Sequence, residues 1–222
     1  MADDAKLQLW IAHVFDHPVG GREWYFDLDA PEWTGNEDDV PELMAETFER
    51  ADELLAVFTD AELDQGFWYV VGEASPSGWT SVLVNQRTPV ATRLRVLRSF
   101  VPLFEKVMAV RCTEHLGHLS EQAESALHLS CYMWWDLLNL SFAGDEWSEF
   151  GPEVIAVLRR ILAIPHDACR ESALHGIGHL IGRYGKDRVV PAQVVDEFLR
   201  STPGLRPELA AYAAAARSGC VL

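Results

Sequence analysis

Apolar positions recur along this chain at helical spacing in one segment after another, and short breaks rich in Pro, Gly, Asn and Asp separate the segments. Leu7, Trp10, Ile11 and Val14 put one apolar face on a helix over 3–15, which His17-Pro18 and Gly20-Gly21 terminate. Over 22–39 the period is lost: Trp24, Tyr25, Phe26 and Trp33 stand among acidic residues. An ordered loop whose rings close one end of the molecule is expected there. A helix over 41–58 starts at Pro41 and offers Leu43, Phe48, Leu54, Leu55 and Phe58 for burial; Thr59-Asp60 then opens another that runs to 73. After a break at 75–78, the segment 79–85 (W-T-S-V-L-V-N) would pass for a strand. No partner strand is evident, so a short helix or turn is expected.

Thr88 and Pro89 open a long helix over 88–111 that turns Leu94, Leu97, Val101, Phe104 and Met108 inward and is kinked by Pro102. Helices over 121–140, 148–164, 166–182, 191–200 and 207–217 follow, separated by Gly144-Asp145, Pro165, 185–187 and Pro203-Gly204, with Gly219 past the last. Neighbouring rings on a helix point to different sides, so at most one of Trp134 and Trp135 is expected in the core.

Two of these segments share their wording. Glu124-Ser125-Ala126-Leu127-His128 returns as Glu171-Ser172-Ala173-Leu174-His175, an offset of about 47 residues that suits a two-helix repeat unit. The small residues Ala173 and Gly176, with Arg170 and Ile177-Gly178, resemble the second helix of a HEAT-like (armadillo-type) repeat, most fully over 152–183 and less over 101–139. The resemblance implies an all-α fold, an α-α superhelix: a short solenoid of antiparallel helix pairs with an N-terminal cap and an aromatic loop. It implies a binding scaffold and names no reaction. HEAT-like deoxyhypusine hydroxylases hold iron through His-Glu dipeptides; the matching places here read Ala123-Glu124 and Arg170-Glu171, so that activity is not carried over.

With 222 residues and 49% hydrophobic content, the chain can bury one substantial core, and a single domain over 1–222 is expected. A net charge of −16 opposes nucleic acid and anionic membrane as partners and favours a protein with a basic surface. No apolar run approaches membrane length. The four cysteines form no C-x-x-C pair and nothing at the start reads as a secretory leader, so a cytoplasmic location is expected. Cys131 and Cys169 should be buried and Cys220 exposed.

An acid followed by a ring one helical turn later recurs as Asp64/Trp68, Glu124/His128 and Glu171/His175, and Tyr132 and His179 extend two of these rows by another turn. These residues predict a protein-binding helical-repeat scaffold or regulator. Its acidic, aromatic and His-lined concave face would receive a basic partner through charge and cation–π contact. No cofactor is expected and no metal is favoured. The alternative is a metal-dependent enzyme with Glu124, His128, Glu171 and His175 on adjacent inner helices, a donor set that suits Fe, Mn or Zn and requires His128 and His175 to face one groove. Cys112, His115 and His118 are dense but fit no zinc spacing, and the two imidazoles are expected to cap the preceding helix. The chain lacks a Gly-rich phosphate loop, a G-x-S-x-G elbow and an H-E-x-x-H pair.

Overall fold

The computed structural model describes residues 3–72, 79–120, 124–138, 140–142, 146–183 and 189–221, and every regular element among them is helical. The breaks expected at 75–78, 144–145 and 185–187, and the helix start expected at 121, lie outside the described residues. In chain order the helices are α1 (Asp4–Phe15), α2 (Val40–Glu49), α3 (Ala51–Leu54), α4 (Asp60–Val71), α5 (Val90–Leu103), α6 (Ala109–Arg111), α7 (Leu127–Leu137), α8 (Glu146–Leu162), α9 (Asp167–Arg183), α10 (Val189–Ser201) and α11 (Pro207–Arg217). No helix among the described residues is long and apolar enough to cross a membrane.

Local chemistry accounts for several of these boundaries. Asp3 caps α1 by accepting from Ala5 N at 3.1 Å, and Thr59 and Glu62 form a reciprocal capping box at the start of α4. The segment 79–85 is a 3₁₀ turn, Trp79–Ser81, followed by turns. The helix expected over 41–58 is interrupted at Arg50, whose guanidinium bridges Glu46 and Glu53 across the break. Past Pro102, which has no N–H for the helical ladder, the chain widens into a π-helical turn, Phe104–Met108, before α6.

The helices lie in two rows. α1, α4, α7, α9 and α11 touch in succession, as do α2, α5, α8 and α10; α1 on α2, α8 on α9 and α10 on α9 and α11 join the rows. A single cluster of buried apolar residues runs from Leu7 on α1 to Ala216 on α11. At its centre the fully buried Trp134 meets the rings of Phe48, Phe67, Phe100 and Phe104, from α2, α4, α5 and the π turn, at centroid distances of 5.4–6.0 Å. Trp135 is buried as well, against the expectation that one of the pair would leave the core. The reason is coverage: α7 has α4 on one side and α9 on the other, so opposite faces of the same helix are both interior.

The loop before α2 behaves as its composition predicts. Trp24 stacks on His17 at 3.8 Å and donates its backbone N–H to Gln65 Oε1 at 3.0 Å, while Trp33 meets the edge of Trp10 at 5.5 Å. These rings cover the end of α1 and the facing side of α4.

Candidate metal centre

α9 contacts α7, α8, α10 and α11, so nearly its whole circumference is interior and its polar residues must find partners inside the protein. Gly176 makes this coverage possible: a Cβ there would sit 2.7 Å from Trp135 Cγ and 2.9 Å from Leu158 Cδ2. Gly178 plays the same part against Val221, 2.5 Å from the place a Cβ would take.

Glu171, His175 and His179 fall on one stripe of α9, one turn apart. Glu171 is fully buried and accepts the backbone N–H of Gly117 at 2.7 Å and of His118 at 3.1 Å, together with the His118 ring through Nδ1. It thereby pins the loop after α6 to α9. His175, also fully buried, contacts Tyr212 of α11 through Nδ1 and Asp136 Oδ2 of α7 through Nε2 at 2.8 Å. His179 Nε2 lies 2.9 Å from His175 Nε2 and pairs with Asp136 Oδ1. Tyr212 also stacks on His118, at 4.3 Å, and its hydroxyl is 3.4 Å from that of Tyr132. A polar chain thus runs from Asp136 and His179 at the surface to the buried Glu171.

Among the described residues, Asp136, His175 and His179 are the one group of three or more His, Cys, Asp or Glu whose ligand atoms all lie within 4.8 Å of one another. Burial alone would raise the Asp136 carboxyl; hydrogen bonds and positive charge from His175 and His179 override it and hold the group well below the ordinary carboxylate range. Proton placement is awkward in the triad by itself. With a proton on both Nε2 atoms, two N–H groups crowd each other across 2.9 Å. With either proton missing and Asp136 ionised, a nitrogen lone pair faces a carboxylate oxygen. A cation between them satisfies all three donors at once.

The four residues Glu124, His128, Glu171 and His175 do not converge in this way; of the four, only His175 belongs to the cluster. Glu124 is exposed and precedes α7, so the repeated wording is not matched by repeated structure: all five residues of the second copy lie within α9, and only the last two of the first lie within α7. Ser125 instead gives its hydroxyl to Asp60 at 2.6 Å. His128 and His175 both turn into the contact between α7 and α9 and are buried there; neither lines an open face. Burial holds the His128 imidazole below its usual range, beside His115 at 5.9 Å and with Nε2 lacking a partner. Tyr132 is buried, His179 half-exposed, and Asp64 and Trp68 line a cleft on the far side of α7. His115 bonds Thr113 and His118 bonds Glu171, so these rings hold the loop and do not cap the helix before it. Cys112, Cys131 and Cys169 are buried and Cys220 is exposed.

Sequence reasoning missed Asp136, which reads only as the end of a Trp-Trp-Asp run. The signal that could have found it is the close His175/His179 pair, which asks for a carboxylate on a neighbouring helix. The chain matches no protein-family model, no curated protein and no solved structure.

Proposed function

We propose that this protein is a metal-dependent enzyme whose centre is Asp136, His175 and His179, holding one first-row divalent ion through the carboxylate and the two Nε2 atoms. The observation that carries the reading is the convergence of three donor atoms, with the two Nε2 atoms 2.9 Å apart, in an arrangement that an ionised Asp136 leaves with either two N–H groups or a lone pair and a carboxylate oxygen opposed. Three protein ligands leave coordination positions for water or substrate, the pattern of catalytic rather than structural sites. The side chains of His179 and Asp136 are 41% and 23% exposed, so those positions are reached from solvent. Tyr212 orients His175 through Nδ1, as outer partners of metal-bound imidazoles do. Bound there, the ion would acidify a water ligand and polarise a substrate oxygen. The two rows of helices support a short α-α solenoid as the scaffold of this centre.

Elemental analysis of protein purified without chelator, followed by titration of the stripped protein with Zn²⁺, Fe²⁺ and Mn²⁺, tests the proposal. The expected result is one ion per chain in the wild type and loss of uptake in His179→Ala and Asp136→Asn, with helical content unchanged by circular dichroism. Wild-type protein that takes up none of the three ions would refute it and leave the triad as a polar clasp between α7 and α9.

A further inference from the structure

A second site lies across α7 from the metal centre. Helical periodicity sends His128 and Tyr132 toward α9 and puts Ala126, Leu129 and Leu137 on the opposite side. There, α7 and α4 and the chain after α1 enclose a cleft of about 790 Å³, a size that holds small organic molecules. Val19, Phe26 and Leu129 line it and are each roughly half exposed, at 47%, 47% and 54%. Tyr25 and Trp68 add aromatic faces. Large apolar side chains gathered at one concavity are a surface that a ligand would cover.

The charges in this cleft have one sign. Glu23 and Asp64 line it, and among the described residues no Lys, Arg or His does, the nearest cation along the chain being Arg22, which stands over the Phe26 ring at 5.7 Å. The Asp64 carboxylate receives the Ser130 hydroxyl and the Trp68 side chain, both neutral donors, and no cation pairs with it among the described residues. The buried carboxylates differ: Glu171 has His118 and Glu46 has Arg50. A half-buried carboxylate without a counter-charge is costly to keep, and burial pushes this one up to about 6. A cation delivered by a ligand would remove that cost, and the rings of Trp68 and Tyr25 would add cation–π attraction, whereas Phe26 already has the Arg22 guanidinium over its ring and supplies apolar contact.

We propose that this cleft binds a small organic amine in its protonated form, an ammonium group on an apolar body, with Asp64 as counter-ion and Trp68, Tyr25 and Phe26 packing around it. An anionic ligand is opposed by both carboxylates, and a neutral apolar one would leave Asp64 uncompensated.

The test compares 2-phenylethylamine, an ammonium ion at neutral pH, with 2-phenylethanol, its neutral counterpart of similar shape, by ligand-observed saturation-transfer NMR and by the shift of the Trp68 indole signal. The amine is expected to bind at least about tenfold more tightly than the alcohol. Asp64→Asn should abolish that preference while leaving the alcohol unchanged, Asp64→Glu should retain much of it, and Trp68→Ala should weaken both. The metal-centre variant His179→Ala should bind the amine as the wild type does. Equal affinity for amine and alcohol, an Asp64→Asn protein that still prefers the amine, or no amine binding at millimolar concentration would overturn the proposal.

Discussion

Removing the charge of Asp64 should stabilise the protein, and the pH dependence of the gain follows from the structure. In the fold, burial raises this carboxyl from 3.8 to about 6. The folded chain therefore holds a proton that the unfolded chain has released throughout that window. Stability contributed by this group is present below pH 3.8 and lost as pH rises through about 6. A displacement of roughly two units corresponds to ~3 kcal/mol at 1.36 kcal/mol per unit. Asn has the shape of a protonated Asp and can still accept from Ser130 through its amide oxygen. Asp64→Asn should then match the wild type near pH 4 and exceed it by ~2–3 kcal/mol at pH 7. Urea unfolding of both proteins at a series of pH values measures this, because the difference curve cancels the other carboxylates. A variant less stable than the wild type at pH 7, or a difference that does not change with pH, would show that the charge of Asp64 is already compensated in the fold.

Other substitutions probe the packing and the polar chain. Gly176→Leu should lower stability by ~1–3 kcal/mol or more, read as a fall in melting temperature, because Trp135 and Leu158 already occupy the space of a Cβ; unchanged melting would contradict that packing. Tyr212→Phe removes the oxygen that orients His175, and competition with a chromophoric chelator should show metal affinity lower by ~10–100-fold with little loss of helix. Glu171→Gln keeps one acceptor for the loop but loses the charge that strengthens its bonds to Gly117 and His118. A cost of ~1–3 kcal/mol is expected, with faster hydrogen exchange at both amides.

Much of the fold was legible in the chain itself, for local reasons. Capping and breaking residues act over one turn, so Asp3, the Thr59/Glu62 box and Pro207 mark helix starts that the structure keeps. The closeness of His175 and His179 is likewise readable from spacing alone, and the small residue at Gly176 stood out through the resemblance to a HEAT-like helix. What periodicity does not carry is which neighbour covers a given face. Asp136 meets His175 only because α7 and α9 pack side by side, and Tyr212 joins them because α11 closes over α9. The same packing buries Trp134 and Trp135 together and draws Glu171 into the interior, where it holds a loop, although its spacing with His175 suggested a shared surface. Asp60 and Ser125 bond ahead of α7, which puts Glu124 outside the helix and separates two stretches that are identical in wording. Local sequence chose where helices begin and end and which residues share a side; the tertiary structure chose the partners, because contacts across helices depend on coverage and distance that no single segment encodes.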